Sequence, residues 1–307
     1  MIMISVVIPV YNEEANVAEL HRRVKAALIK FGRPFEIIFI DDGSGDRTFE
    51  ILKTLSPIKI IKFRGNFKQA AAIDAGISAA LGDIVVTLDG DLQNDPDDIG
   101  RLATKLDEGY DVVVGWRQDR HDSFGRRLHS RLANWLTGFV TGLKLHDHAC
   151  ALKAYRKELF GGITLYGEMH VFLPVLLASR GAKITELVVK HHERKGGISS
   201  HNLLRGIKAI SDLFTVRFIS TTLRPLLFFA SWAIISFFFS FFAVVASIFL
   251  RIKGFYFSQT PLPILATLFF LVGFLLIMMG FLAEIMIRIY YDTRAAKPYS
   301  IKEIVEK

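Results

Sequence analysis

Two long apolar segments near the C-terminus are the feature that most restricts how this chain can fold. No charged residue occurs at positions 225–250 or at positions 254–283. A membrane-spanning helix needs about 20 predominantly apolar residues, and both segments exceed that length. Two buried helices of a soluble core are the alternative, which requires each helix to be apolar on every face. The pattern favours a two-span transmembrane anchor over residues 225–287.

The basic residues around these segments predict their orientation. The connection between them carries Arg251 and Lys253. Six basic residues lie on the outer flanks: Lys208, Arg217, Arg224, Arg288, Arg294 and Lys297. Because lysine and arginine accumulate on the cytoplasmic side of a membrane, residues 1–202 and a tail over 288–307 are predicted to be cytoplasmic.

The segment just before the first span has a helical apolar spacing. Between 203 and 220 the apolar residues recur every three or four positions, and the basic residues lie largely off that stripe. We expect an amphipathic juxtamembrane helix over 203–222, lying in the cytoplasmic interface. An ordinary amphipathic helix packed on the soluble domain is the alternative.

Residues 1–202 alternate between strand-like and helix-like patterns. Continuous apolar runs predict five strands, at 5–10, 36–44, 58–63, 83–91 and 111–117. A helical pattern lies between each pair of consecutive runs. Fully apolar strands joined by helices indicate a mostly parallel, Rossmann-like α/β sheet covered on both faces. The lone cysteine, Cys150, excludes an intramolecular disulfide.

Polar side chains cluster where these strands end, which is where such sheets bind ligands. The clusters are Tyr11-Asn12-Glu13, Asp41-Asp42, Asp89-Gly90-Asp91 and Arg117. Asp89 and Asp91 offer hard oxygen ligands for Mg²⁺ or Mn²⁺, which is typically shared with substrate phosphates. Carboxylates after a strand also cap turns and helices, and Asp95, Asp97 and Asp98 are predicted to begin the next helix.

A set of motifs in a fixed order carries a resemblance to a known family. The motifs are VVIPVYNEE, DDGSGDRT, NFKQAAAIDAG, LDGDLQNDP, DHACALKAYRKELF, HHERKGGIS and the ending LAEIMIRIYYDTRAAKPYS. Together they resemble family 2 glycosyltransferases of the GT-A fold. More narrowly, the chain is similar to the membrane-anchored polyprenyl-phosphate glycosyltransferases, such as dolichyl-phosphate mannose synthase and bacterial undecaprenyl-phosphate sugar transferases.

The resemblance implies a role for each matching residue. The nucleotide would contact Pro9, Tyr11, Glu13, Asp42, Asp89 and Gln93. Asp89 and Asp91 would hold the metal and diphosphate. Asp89, Asp91, Arg117 and Asp147 would form the catalytic set. The acceptor phosphate would meet Arg131, Arg194, Ser199 and His201.

Some positions depart from the family pattern or leave a choice open. Gly65 stands where a basic residue is usual, Lys68 where glycine is common, and Ser200-His201 where lysine or asparagine precedes an aromatic residue. The run from His146 to His148 could be a metal cluster, but adjacent residues on a strand point to opposite faces. In the family that the chain resembles, the aspartate at this position is a site residue near the sugar, so the resemblance favours Asp147 as a lining residue of the active site. Glu168 and His170 match a loop near the acceptor.

The implied activity is inverting transfer of a sugar from a UDP- or GDP-linked donor to undecaprenyl or another polyprenyl phosphate. The resemblance places this at the cytoplasmic face of a bacterial inner membrane, with Mg²⁺ or Mn²⁺, in a multi-pass protein that forms a homo-oligomer. The donor is a hexose or, alternatively, a formylated aminoarabinose.

Three other functions fit the sequence less well. A processive polysaccharide synthase resembles a pattern with a Q-x-x-R-W motif and more spans, whereas the nearest text here is GWRQDR. A non-catalytic sugar-nucleotide-binding subunit would tolerate decay of the Asp-x-Asp motif, which is intact. Nucleic-acid binding would explain the net charge of +8, but the basic residues cluster near the membrane and at 117–131.

Overall fold

A computed structural model describes residues 2–118, 137–138, 141–165, 169–192, 225–292 and 299–307. The chain divides into two compact units. One comprises Met1–Arg217 together with Ala296–Lys307, and the other comprises Phe218–Ala295.

The first unit is built from eight strands and five helices among the described residues. The strands are β1 (Ile4–Val10), β2 (Phe35–Asp41), β3 (Lys59–Phe63), β4 (Ile84–Thr87), β5 (Val112–Trp116), β6 (Lys153–Arg156), β7 (Ile184–Val188) and β8 (Ile301–Glu306). The helices are α1 (Val17–Phe31), α2 (Thr48–Leu52), α3 (Gln69–Ala79), α4 (Asp98–Asp107) and α5 (Met169–Ser179). A 3₁₀ turn, Lys157–Phe160, follows β6.

All eight strands form one sheet in the order β7-β5-β6-β4-β1-β2-β3-β8. Strands β3, β2, β1 and β4 are parallel, as are β5 and β7. Strand β6 runs antiparallel between β4 and β5, and β8 runs antiparallel to β3 at the edge. The carboxyl ends of β1, β2 and β4 therefore meet at one edge of the sheet.

Side-chain alternation along the strands builds an apolar core on each face of the sheet. In β1, Ile4, Val6 and Ile8 pack on the face covered by α1, α2 and α4. Val7 packs on the opposite face, among the alanine-rich residues of α3 and the apolar residues of α5. These side chains are fully buried, which accounts for the continuous apolar runs.

The mostly parallel α/β fold is confirmed, and all five strands predicted from apolar runs are present. Strands β6, β7 and β8 were not predicted. The last of them lies within residues 288–307, for which the sequence indicated only a tail. Its residue Ile304 pairs with Ile61, and Tyr299 stacks on Phe63 with ring centroids 5.0 Å apart. The end of the chain is thus part of the sheet.

The second unit is a helical hairpin of α6 (Pro225–Ile252) and α7 (Leu262–Asp292). Ser236 Oγ donates to the carbonyl oxygen of Phe269 and Ser240 Oγ to that of Ala266, each at 2.7 Å. Small residues at a helix interface let the backbones approach closely, as in membrane helix pairs.

Both helices are long and apolar enough to cross a membrane, over Leu226–Ile252 and Leu262–Met286, with mean hydropathies of 2.5 and 2.6. Only 22% and 17% of their most apolar windows is buried in the structure. A buried helix of a soluble core would have most of that surface covered, so the exposure favours the membrane interpretation.

Candidate active site

The loops that follow β1 and β2 are tied to each other at the carboxyl edge of the sheet. Asn12 adopts a positive φ of 53°. Its backbone N–H donates to Ser44 Oγ at 3.0 Å, and its side-chain oxygen accepts from the N–H of Gly45 at 2.9 Å. Tyr11, predicted to contact the nucleotide, precedes Asn12 and is 47% exposed. Its ring is therefore available to a ligand at the edge.

Glu13 extends the same connection. Its backbone N–H donates to Thr48 Oγ1 at 2.9 Å, and its carboxylate accepts from Asn16 Nδ2 at 2.6 Å. Pro9, near the end of β1, lines a cavity that also borders Asp89. The predicted nucleotide residues of β1 and its loop thus lie along one edge.

Asp42 organises the loop before α3. Its two carboxylate oxygens accept from the backbone N–H groups of Phe67, at 2.6 Å, and Lys68, at 2.9 Å. Burial raises the pKa of Asp42 above its ordinary value, and these two hydrogen bonds oppose the rise. Lys68 has φ of 76° and ψ of 166°, a region that glycine adopts far more readily. This conformation explains in physical terms why glycine would suit position 68.

Gly43 permits the tight packing of this loop. Its φ is 74°, and a Cβ placed there would lie 2.6 Å from the carbonyl carbon of Gly65. The loops after β2 and β3 therefore contact each other through their backbones. A side chain at Gly43 would force them apart.

The Asp-x-Asp pair follows β4. Asp89 is half-buried, and its Oδ1 accepts from Gln69 Nε2 at 2.7 Å. Burial, and next the negative charge of Asp91, raise the pKa of Asp89 from 3.8 to about 6. Arg117 and Lys153 oppose the rise without cancelling it. A cation bound beside Asp89 would oppose this rise in its pKa.

The turn between these two aspartates lies against the end of β1. A Cβ at Gly90 would be 2.8 Å from Val10 Cγ1. Asp91 Oδ1 accepts from the backbone N–H of Gln93 at 3.2 Å, and Leu92 between them has a φ of 62°. Gln93, predicted as a nucleotide residue, thus follows directly in the same turn.

The remaining acids of the cluster belong to the start of α4, as predicted. Asp95 Oδ1 accepts from the N–H of Asp97 at 3.1 Å, and Asp98 is the first residue of the helix. Although burial opposes it, hydrogen bonds from Asp97 and His192 lower the pKa of Asp95. Asp97 itself is exposed.

Arg117 and Asp147 form a two-pronged ion pair beside the acidic cluster. Arg117 Nε donates to Oδ2 at 2.7 Å and Nη2 to Oδ1 at 2.9 Å. Their side chains are only 12% and 3% exposed. Although burial opposes it, the Asp147 carboxylate raises the pKa of Arg117, so the guanidinium stays charged. The structure thus pairs two members of the predicted catalytic set.

Glu186 fixes the segment that carries Asp147, and it was not predicted. Its carboxylate accepts from the backbone N–H of His146 at 2.8 Å and contacts the Nδ1 of the same residue at 2.8 Å. The His146 ring stacks on Trp116 with centroids 4.1 Å apart. The His146 ring therefore already contacts Glu186 and Trp116, which argues against a metal cluster at 146–148.

Lys153 is a second residue that sequence reasoning missed, although the motif DHACALKAYRKELF contains it. It is 3% exposed, and its Nζ donates to the carbonyl oxygens of His148, at 3.0 Å, and Val171, at 3.3 Å. Burial lowers its pKa to about 8. His148 is also buried, and burial, together with Lys153, lowers its pKa to about 4.

All four predicted acceptor-phosphate residues, Arg131, Arg194, Ser199 and His201, lie outside the described residues. The same holds for Glu168 and for the predicted juxtamembrane helix at 203–222. His170 lies in α5 and lines the cavity that borders Asp89.

The donor set at the end of β4 fits a divalent cation. Asp89 and Asp91 supply hard oxygen atoms, and the raised pKa of Asp89 shows that added positive charge would stabilise its ionised form. Within the described part of the chain, no group of three or more His, Cys, Asp or Glu side chains could hold a metal. Mg²⁺ held by one or two carboxylates commonly takes its other ligands from substrate phosphates and water.

The sheet, with an acidic pair at the end of β4 and a charge-paired arginine beside it, is that of a GT-A glycosyltransferase. A family model described as glycosyl transferase family 2 matches residues 5–163. The chain belongs to that family.

Similar proteins cover nearly the whole chain, including the hairpin of α6 and α7. Undecaprenyl-phosphate 4-deoxy-4-formamido-L-arabinose transferase of Edwardsiella ictaluri is 39% identical over 98% of this chain and 94% of its own length. Dodecaprenyl-phosphate galacturonate synthase of Rhizobium johnstonii is 35% identical over 99% and 93%. Together with the two apolar helices, these relatives indicate that the chain is membrane-associated.

Solved structures share the fold at lower identity. Glucosyl-3-phosphoglycerate synthase of Mycobacterium tuberculosis, in complex with Mn²⁺ and UDP-glucose, aligns with a TM-score of 0.54 and 22% identity over 70% of this chain and 79% of its own. Mannosyl-3-phosphoglycerate synthase of Rubrobacter xylanophilus aligns with a TM-score of 0.55 and 16% identity, over 71% and 74%. GT-A neighbours are thus solved with a divalent metal, which is consistent with the acidic pair described above.

Proposed function

We propose that this protein transfers a sugar from a nucleoside diphosphate sugar to a polyprenyl phosphate, such as undecaprenyl phosphate, with inversion at the anomeric carbon. A phosphate oxygen of the lipid forms a new bond to the anomeric carbon, while the bond between that carbon and the diphosphate of the donor breaks. The nucleoside diphosphate leaves, and a polyprenyl-phosphate monosaccharide is the product.

The acidic cluster at the end of β4 is the observation that carries this proposal. Asp89 is half-buried next to Asp91, and its raised pKa marks a place that favours incoming positive charge. Mg²⁺ or Mn²⁺ held by Asp89 and Asp91 would neutralise the developing charge on the leaving diphosphate. The full-length relatives support the same reaction, because their names describe sugar transfer to, or synthesis of, polyprenyl phosphates.

The other residues at the edge have roles that their positions support. Pro9, Tyr11, Glu13 and Asp42 border the loops where the nucleoside would lie, and Gln93 follows the acidic turn. Arg117 would stabilise negative charge on the diphosphate while Asp147 holds its guanidinium in place.

The acceptor needs little activation by the protein. A lipid monophosphate has a second pKa of about 6 and is largely dianionic at pH 7. The protein's main task is therefore to hold two anionic substrates together. We assign the lipid phosphate to Arg131, Arg194, Ser199 and His201, on the family resemblance alone.

We further propose that the catalytic unit and both termini are cytoplasmic, that the protein crosses a bacterial inner membrane twice, and that it forms a homo-oligomer. Basic residues on the outer flanks of α6 and α7 support the orientation.

Relatives support two candidates for the sugar. The Edwardsiella relative is named for 4-deoxy-4-formamido-L-arabinose, and the Rhizobium relative for galacturonate. Both carry a polar acyl oxygen, in a formamide or in a carboxylate.

Incubation of the purified full-length protein with undecaprenyl phosphate, Mg²⁺ or Mn²⁺ and a panel of UDP- and GDP-sugars tests the proposal. We expect one glycolipid, identified by mass, whose formation stops in excess chelator. Asp91→Asn should abolish it, whereas the matched control Asp97→Asn, at an exposed carboxylate of the same segment, should retain it. Turnover by Asp91→Asn at the wild-type rate would contradict the assignment of the acidic pair.

A further inference from the structure

Lys153 occupies an unusual position for a lysine. It lies on the central antiparallel strand β6, where it pairs with Thr87, two residues before Asp89. Its side chain is 3% exposed, and lysine is almost never so deeply buried without a partner. Two main-chain carbonyl oxygens accept its described hydrogen bonds. An amino group of this kind carries two N–H donors when neutral and three when charged.

Burial of the Lys153 amine costs free energy, which suggests that the amine has a role in binding a ligand. Transfer of a lysine ammonium into a protein interior disfavours the charged form, which is why burial lowers its pKa to about 8. A leucine or methionine would fill the same space without that cost. The two hydrogen bonds from Lys153 to carbonyl oxygens offset part of the cost of burial, but a neutral side-chain donor would satisfy those carbonyl groups as well.

Lys153 lines a cavity of about 70 Å³. Its polar lining comes from Lys153, Asp89, Gln69, Thr87 and His170. Ile73, Leu173 and Tyr155 are among the other residues of its wall. A water needs roughly 10–15 Å³ in such a cavity. The space therefore holds a group of a few heavy atoms, and not a nucleotide sugar.

Asp89 connects this cavity to the proposed reaction. If the diphosphate of the donor binds at Asp89 and Asp91, the sugar is the next part of the molecule, and a substituent of that sugar can reach the cavity. The amine of Lys153 then presents a hydrogen-bond donor to it. An acceptor oxygen is the complementary group.

We propose that Lys153 is a specificity-determining residue, which donates a hydrogen bond to an acyl oxygen on the sugar of the donor. This inference rests on the proposed function and deepens it by naming the group of the sugar that the protein selects. A carboxylate and a formamide both present such an oxygen, whereas a hydroxymethyl group presents a weaker acceptor.

The test measures binding separately from transfer, on the full-length protein with Mn²⁺. UDP, UDP-galacturonate, UDP-4-deoxy-4-formamido-L-arabinose and UDP-galactose are titrated into the wild type, Lys153→Met and the control Lys157→Met. Lys157 lies on the same segment and lines a different cavity. We expect Lys153→Met to weaken the preferred acyl-bearing donor by about 10- to 100-fold, the range for a hydrogen bond to a charged group. UDP and UDP-galactose should change less than threefold.

Equal weakening of UDP and of every UDP-sugar, or no weakening, would show that Lys153 only braces the fold and would overturn the inference. Lys153→Arg covers the case in which Lys153→Met does not fold, because it keeps donors for both carbonyls. We expect it to change the order of preference among the three sugars, and an unchanged order would overturn the inference. If no donor gives a glycolipid, the proposed function fails while the binding ratios still decide the role of Lys153.

Discussion

Replacement of Asp89 by asparagine should stabilise the metal-free protein at neutral pH while abolishing its activity. Asparagine keeps the oxygen that accepts from Gln69 and removes the negative charge beside Asp91. Active sites often hold charges in unfavourable surroundings because the reaction needs them there, so relief of that strain raises stability.

The size of the effect follows from the pKa of Asp89, which rises from 3.8 to about 6 on folding. Because the folded state favours the protonated form, this contribution to stability is fully present below about pH 3.8. It is lost as the pH rises through about 6. One pKa unit corresponds to about 1.4 kcal/mol, so ionised Asp89 costs about 3 kcal/mol above pH 7. Asparagine does not ionise and avoids that cost.

Thermal unfolding of the full-length protein in detergent with a chelator measures this difference. For a domain of this size 1 kcal/mol shifts Tm by about 2–4 °C, so Asp89→Asn should unfold about 6–12 °C above the wild type at pH 7.5. The gap should narrow as the pH falls from 6 towards 4. Asp97→Asn, at an exposed position, should shift Tm by less than about 2 °C.

A second arm adds Mn²⁺ and UDP. A ligand that binds only the folded state raises Tm. Mn²⁺ with UDP should therefore raise the Tm of the wild type but leave the Tm of Asp89→Asn unchanged. A variant no more stable than the wild type at pH 7.5, or a gap independent of pH, would refute the assignment of a strained charge to this carboxylate.

Three further predictions follow from contacts in the first unit. Arg117→Met removes the two-pronged ion pair of the buried Asp147 carboxylate, which should lower the free energy of unfolding by about 3–5 kcal/mol; a loss below about 1 kcal/mol in denaturant titration would contradict the buried ion pair. Gly43→Ala should lower Tm and UDP affinity because its methyl group would overlap the facing backbone, whereas Gly45→Ala, with open space around it, should change neither. Tyr299→Ala removes a ring stacked on the end of β3 and should cost about 1–3 kcal/mol in thermal unfolding, with Tyr299→Phe as the near-neutral control.

The parallel part of the fold could be predicted because its signals are local. Strands β1, β2, β4 and β5 each contain an uninterrupted run of at least three apolar residues, and β3 has apolar residues between two lysines. Strands β6 and β7, KAYR and ITELV, mix charged and apolar residues. Their place in the sheet depends on partners far away in the chain, which no local pattern encodes.

In the candidate site, too, some residues can be predicted from the local sequence and others depend on contacts between distant parts of the chain. Asp89 and Asp91 stand out because two acids follow a buried strand. Nothing at Arg117 shows that Asp147, thirty residues later, will pair with it. Lys153 is harder still, since its importance lies in its burial, and the sequence presents it only as one lysine of a basic motif.

Strand β8 constrains the membrane topology independently of any count of basic residues. It pairs with β3 through Lys59–Glu306 to Phe63–Ile301, so the end of the chain belongs to the same sheet as its beginning. A sheet cannot lie on both sides of a bilayer, because its backbone polar groups would have to cross the hydrocarbon. Helices α6 and α7 separate β8 from the other seven strands. The two-span anchor that we propose is compatible with the pairing of β8 and β3, whereas an anchor that crosses once is not.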